Sequence, residues 1–390
     1  MKELYEQMKQ LFFMERENDD FLENLFVVLQ KYVEILQTYN SSLSYITDDN
    51  ITEVKKTNKD IKKCIEYYLE GRYHLAYRLV ERLLNKIIGE NYHVVSVNEI
   101  FYRCRTKKTE DTEEISSCIK MFHIPFNERH KVSTQRYSAP GYPCLYLGSS
   151  IYNCWQELGC NCNNLYASHF GVRNEFRVID LRFPELDDLT DNNNVVTFLK
   201  KFPLILSTSQ RIHQNEKEGT FHPEYIISQL ITEYIITGNN KKHKNKKCPF
   251  GLFDFVLGVY YTSTHIDSRY KASLSLFSNL ALPAIDFKTK KTYCQYLASY
   301  FSITDPLRCK CVSINKELNE LSDEDIKCIF MGLLEIEIEL NYRQKYLYLH
   351  SIVDNKLFRL DNDIEYKMCR LDMINSNDVI IVSPDKISSN

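Results

Sequence analysis

QRYSAPGYPCLYLGSSIYNCWQELG, residues 135–159, is the stretch on which the fold turns. Gly141-Tyr142-Pro143 is turn chemistry after a polar segment, because glycine reaches backbone angles closed to other residues and proline cannot donate to a ladder. CLYLG then reads as a strand, in which Tyr146 points opposite to Leu145 and Leu147 because side chains alternate along an extended chain. SSIYNCWQELG reads as a helix with Ser149 or Ser150 near its N-cap. Glu157 lies in that helix beside Trp155 and Leu158. A carboxylate so placed either faces solvent or is held in a site, and the local pattern admits both.

Outward from this stretch, FRVIDL (176–181) and FDFVLGVYYTS (253–263) are further short apolar runs of strand type, and PEYIISQLITEYIIT (223–237) has helical spacing. Strands alternating with few helices predict an α/β or α+β core. The lysine-rich KKHKNKK (241–247) between a helix and a strand reads as a solvated loop rather than a phosphate-attracting patch. Upstream, Phe21, Leu22, Leu25, Phe26, Leu29, Tyr32, Val33 and Leu36 recur at helical steps, with Asp19 and Asp20 as candidate caps. The polar run from Asn40 to Asn58 predicts a loop. A second helical pattern, Ile61 to Leu69, breaks at Gly71 and continues from Ala76 to Ile87 as a hinged helix pair. Residues 1 to 95 therefore form a helical N-terminal domain, regulatory or partner-binding in kind. Downstream, SDEDIKCIFMGLLEIEIEL (322–340) starts with Ser322 and Asp325 in capping positions and reads as a helix running into a strand. NDVIIVSPDKISSN (377–390) reads as one last strand, so residues 286 to 390 form an extension packed on the core.

The bulk properties narrow the partner classes. A chain of 390 residues exceeds what one compact core usually holds, and 44% hydrophobic with 26% charged residues is a globular balance. A net charge of −3 gives no electrostatic case for nucleic acid or a membrane. The opening MKELYEQMKQ is charged and amphipathic, unlike a secretory signal, and no apolar run is long enough to cross a bilayer. The 13 scattered cysteines read as reduced thiols, and together these features place the chain in the cytoplasm.

Four segments carry the chemistry: FYRCR with Arg103, residues 135–159 with Arg136, Tyr146 and Glu157, HPEYIISQLITEYI, and FDFVLGVYYTSTH with Tyr261 and Ser263 followed by FSNLAL with Asn279. Together they resemble the RES domain, over about half of the chain, residues 98 to 285. The family's Tyr-Arg pair matches Tyr102-Arg103. Its second arginine, Gly-x-Pro turn and Leu-Tyr strand match Arg136, Gly141-Tyr142-Pro143 and Leu145-Tyr146. The family glutamate stands eleven residues after the strand tyrosine, where this chain has Glu157. Ser228-Gln229 matches the later helix, and Gly258-Val259-Tyr260-Tyr261-Thr262-Ser263 with Asn279 matches the final motif. Two departures are Arg136-Tyr137-Ser138 in place of Arg-Phe-Asn, and Pro283 where the family has a phenylalanine.

The resemblance implies an α+β fold, an ADP-ribosyltransferase-like mixed β core with flanking helices preceded by the helical N-terminal domain. It implies cleavage of the nicotinamide–ribose bond of NAD, with NAD as substrate, no bound cofactor and no metal. Arginine forks suit the pyrophosphate, which gives Arg103 and Arg136 that role. Tyr146 would face the nicotinamide or ribose, with Tyr261 beside it. Glu157 would grip a ribose hydroxyl and stabilise positive charge, as in glycoside hydrolysis, with Ser263 positioning it. The acceptor is open between water, phosphate and a protein side chain. The family's toxin chemistry implies an antitoxin or regulatory protein as partner and a defence role, and it admits a homo-oligomer. A non-catalytic interaction protein on the same fold is the other class. Two further constellations compete: Cys160, Cys162, Cys309 and Cys311 as a zinc set, though spaced more tightly than usual, and Cys154 with His169 as a thiol nucleophile.

Overall fold

In the computed structural model, the described residues are 1–14, 20–89, 91–97, 99–107, 115–159, 165–212, 221–245, 255–266, 274–285, 292–309, 322–352, 368–370 and 380–382. Four helices come first: α1 (Lys2–Phe12), α2 (Phe21–Tyr39), α3 (Asp48–Leu69) and α4 (Tyr73–Ile87). Asp20 caps α2 by accepting from Glu23 N at 2.9 Å, whereas Asp19 lies outside the described residues. The polar run predicted as a loop is a loop only to Thr47, which caps α3 by accepting from Asn50 N at 3.2 Å. Its polar residues conceal a buried stripe of Ile51, Val54, Thr57, Ile61, Cys64 and Ile65, and burial of that stripe outweighs the low local propensity.

The chain then enters the sheet region: β1 (His93–Val95), β2 (Ile100–Thr106), β3 (Cys144–Gly148), α5 (Ile151–Glu157), β4 (Leu165–Val172), β5 (Phe176–Leu181), α6 (Asn192–Thr208), α7 (Ile226–Asn245), β6 (Val256–Thr262) and β7 (Ser278–Pro283). Of the lysine-rich segment, Lys241 to Asn245 continue α7 through Gly238, with Asn239 anchored by Val256 (its Nδ2 donates to Val256 O at 2.7 Å), while Lys246 and Lys247 lie outside the described residues. After β7 come α8 (Gln295–Ala298), β8 (Phe301–Thr304), β9 (Leu307–Arg308), α9 (Asp323–Ile352), β10 (Met368–Arg370) and β11 (Ile380–Val382). The predicted strand at the end of residues 322–340 is absent, because α9 runs through it. The alternation in LEIEIEL is real, but Ile329, Leu333 and Leu340 repeat at helical steps and are buried, while Ile338 of the alternating set is 62% exposed.

Among the described residues one mixed sheet has the order β1-β5-β6-β7-β3-β2-β4-β8-β10-β11, with β9 also on β4. β5 and β6 are parallel and the other pairs antiparallel. The fold is α+β, with the helical region preceding the sheet. Side chains alternate along β3 and β7, where Leu145, Leu147, Leu280 and Leu282 face one core and Tyr146 and Ala281 the other; β6 joins the second core through Val259 and Tyr261 after a register shift against β5 that leaves Leu257 in the first. That second face is covered by α6, α7 and the N-terminal helices, which share a single apolar cluster. Tyr32 Oη donates to Leu199 O at 2.7 Å, and Glu53 bridges Lys200 at 2.6 Å and Lys86 at 3.2 Å. Each fully buried Leu or Phe there contributes about 1.5–3 kcal/mol. The segment after residue 285 also adds β8 and β9 to the edge of β4. Among the described residues, no helix is long and apolar enough to cross a membrane.

Two contacts fix the core around the later site. Gly258 lets β6 approach β7, since a Cβ there would stand 2.1 Å from Ala281 O. α9 docks across α5 and β2: Ile151 N donates to the Glu337 carboxylate, and Tyr102 Oη donates to Asn341 Oδ1 at 2.7 Å. Burial lifts the Glu337 carboxyl from 4.5 to about 7, against the lowering effect of the Ile151 N–H.

Gly258→Ala is expected to cost at least about 2 kcal/mol, because the clashing atom is backbone; urea denaturation measures it. Glu337 gives a pH dependence. Its folded pKa lies above its unfolded value, so the native state holds the extra proton between pH 4.5 and about 7. The contribution to stability is therefore present below that window and lost as pH rises through it. Glu337→Gln should flatten that part of the profile of urea midpoint against pH.

Candidate functional site

Tyr261, Asn279, Gly148, Tyr102 and His169 form one row across five strands, each paired with the next. At this row β2 and β3 share a single paired position, Tyr102 with Gly148. Where the strands part, they open a cavity of about 370 Å³ whose lining includes Arg103, Arg136, Tyr146, Glu157, Tyr261 and His265. α5 can sit close over the row because Gly148 has no side chain; a Cβ there would be 2.7 Å from Cys154 Sγ. Ser150 caps α5 by accepting from Asn153 N at 3.0 Å, and Trp155 is fully buried beneath it.

α5 ends on Glu157, which the structure holds at the cavity rather than leaving it simply solvated. Its Oε1 accepts from Ser263 Oγ and from Asn279 Nδ2, both at 2.6 Å. These are short bonds of the charge-assisted type. Oε2 faces His265 Nε2 at 3.9 Å. Asn279 is itself oriented, because Asn153 Nδ2 donates to its Oδ1 at 2.8 Å and to Ser278 O at 3.1 Å. With its oxygen so occupied, the Asn279 amide can only present hydrogens to Glu157. Ser263 is wholly buried, and its Oγ also accepts from His265 N at 3.1 Å.

The two arginines differ. Arg136 sits in the tight turn of residues 135–138, closed by mutual backbone bonds of 2.9 and 3.0 Å between Gln135 and Ser138. Its Nη1 donates to Thr208 O at 2.5 Å and Gln210 O at 3.0 Å, and its Nη2 to Thr264 Oγ1 at 3.2 Å. The guanidinium therefore satisfies carbonyls at the C-terminus of α6, where a cation is favoured, and lies 5.1 Å over the Tyr225 ring. Gln229 Nε2 clamps the same turn from α7, donating to Thr134 Oγ1 at 3.0 Å and Gln135 O at 3.1 Å. Arg103 has one hydrogen bond, from Nη1 to Phe122 O at 3.0 Å, and no carboxylate against it among the described residues. Burial, with Arg105 nearby, pulls its guanidinium down to about 10. Arg103 is half-buried, and a cation so placed with no counter-ion among the described residues suits an anion.

Tyr146 Oη accepts from Tyr137 N at 3.1 Å, which fixes its ring at the cavity wall, and Tyr261 packs on Tyr137 at 4.8 Å between centroids. The structure thus gathers Arg103, Arg136, Tyr146, Glu157 and Tyr261 around one cavity, with Ser263 directly behind Glu157. Sequence reasoning missed Asn153, Tyr225 and His265. Asn153 stands one helical turn before Glu157, and that spacing is the signal that could have found it. Of the competing constellations, Cys160, Cys162 and Cys311 lie outside the described residues. Cys154 Sγ is turned to Tyr102 O at 3.4 Å, and burial holds the His169 imidazole down to about 3, so the two do not form a thiol–base pair. No cluster able to hold a metal occurs among the described residues.

A Bacillus subtilis (strain 168) protein named "Putative toxin YopC" is 30% identical to this chain over 323 residues, covering 77% of the chain and 68% of that protein. No family model matches the chain, and no solved structure matches it.

The arginine asymmetry is measurable as stability. Arg136→Met should cost about 3 kcal/mol, because it strands buried carbonyls that a charged donor now satisfies. Arg103→Met should cost little, because it removes a half-buried charge that faces no carboxylate among the described residues. Chemical denaturation of the two variants tests the contrast, and equal losses would contradict it.

Proposed function

The chain belongs to the family of that Bacillus subtilis relative, and from this premise we propose that it is a toxin whose act is to break the nicotinamide–ribose bond of NAD. The observation that carries the reading is Glu157, gripped by Ser263 and Asn279 at 2.6 Å in a cavity also lined by Arg103, which faces no carboxylate among the described residues. Nicotinamide leaves as a neutral base from a cationic ring, so the reaction needs no general acid. It needs an anion clamp for the diphosphate, a surface for the ring, and negative charge beside the ribose as it becomes cationic. Arg103 serves as the clamp. Tyr146 and Tyr261 offer the surface. Glu157 supplies the charge, and its fixed position means that no reorganisation is required as the cation develops. Arg136 acts on NAD through the remaining hydrogens of its fork and, more strongly, by anchoring the turn that closes the cavity. Loss of the NAD pool is then the toxic act, and an antitoxin is a protein that closes this cavity.

The test is to incubate the full chain with NAD and follow nicotinamide release. Wild type is expected to release it, and Glu157→Gln to be slower by about 10²–10³-fold, the scale of losing one preorganised electrostatic group. No release by wild type would end the NAD reading, and equal release by both proteins would remove Glu157 from the chemistry.

A further inference from the structure

We infer that His265 is the base that accepts the proton of the attacking nucleophile, and that this nucleophile is water held between His265 Nε2 and Glu157 Oε2. The inference rests on the NAD cleavage proposed above. Both bonds to the Glu157 carboxylate from Ser263 and Asn279 go to Oε1, which leaves Oε2 directed at the imidazole. The 3.9 Å gap between Oε2 and Nε2 is too long for a direct hydrogen bond and suits one oxygen bonded to both. A single hydroxyl sets this spacing, since Ser263 Oγ donates to Glu157 and accepts from His265 N at 3.1 Å. The His265 side chain is 50% exposed, so a captured proton has a route to solvent. No other histidine lines the cavity among the described residues, and burial holds the imidazoles of His123 and His169 down to about 3, too weakly basic for the task.

The step balances. The water oxygen forms a bond to C1′ of the ribose as the C1′–N bond breaks. The bonding pair passes to the ring nitrogen and cancels its charge, and the water proton goes to Nε2 and then to solvent. The products are nicotinamide, ADP-ribose and one proton. Among the described residues Glu157 Oε2 faces the imidazole, and Arg136, Tyr225 and Tyr261 line the same cavity. The neutral imidazole is the active form, so the rate rises with pH through the range in which histidine titrates, between about pH 5 and 8.

The experiment measures nicotinamide and free ADP-ribose formed from NAD across that pH range by the full chain, by His265→Gln, by His265→Ala with and without added imidazole, and by Glu157→Gln. The expected result is a kcat for His265→Gln lower by about 10²-fold or more with KM little changed, loss of the rising limb, and recovery of His265→Ala by imidazole. Recovery by imidazole separates a proton acceptor from a merely structural side chain. A wild-type kcat and limb in His265→Gln overturn the proposal, as does a deficit in His265→Ala that imidazole leaves untouched. An ADP-ribosyl product on phosphate or on protein overturns the assignment of water. An active wild type with an inactive Glu157→Gln and a fully active His265→Gln sinks this inference alone. An inactive wild type sinks the cleavage reading and this inference with it.

Discussion

The pairing of β7 with β6 on one side and β3 on the other is the constraint from which the site follows. It sets Asn279 between Tyr261 and Gly148. Gly148, bare of side chain, lets α5 settle above it, and the length of α5 then brings Glu157 down beside Asn279 and Ser263. Gly258 lets β6 and β7 come close enough for this row to form. A shift of one residue in that register would turn Asn279 to the opposite face and leave the carboxylate without one of its two donors.

Charge is distributed unevenly about the cavity. Arg136 is spent on carbonyls and behaves as a structural fastener between the 135–138 turn and the end of α6. Arg103 faces no carboxylate among the described residues. The fastener is in turn gripped by Gln229 on α7, and α7 packs into the cluster that includes α1 to α4. The helical N-terminal region thus supports the wall of the cavity through shared burial, although none of its described residues lines it.

Much of this was legible in the sequence because it is local. The turn, strand and helix of residues 135–159 are dictated by glycine, proline and alternation, and the opposed faces of Tyr146 and Leu145 follow from the pleat. The Ser322 and Asp325 capping pair was legible too, and the structure shows Asp325 N donating to Ser322 Oγ at 3.1 Å. What escaped was decided at long range. The polar start of α3 is helical because its sparse apolar stripe finds a partner in the cluster. The alternating isoleucines of α9 mimic a strand until Leu333 and Leu340 are seen to be the buried set. Whether Glu157 faced solvent or a site could not be decided locally, since its donors are 106 and 122 residues away. His265 carried no sequence signal because only its distance from Glu157 gives it meaning.

Those two separations have a consequence for the newborn chain. Residues that will line the cavity, from Arg103 to Glu157, are synthesised well before the strand that completes it. β3 has no β7 to pair with, and Glu157 lacks its Asn279 donor, until β7 has left the ribosome. Such non-local pairing is slow to close. A chain interrupted anywhere before β7 therefore yields a fragment with arginines and a carboxylate but no assembled cleft. The order of the strands along the chain thus acts as a delay, letting the cavity appear only once β7 has been made.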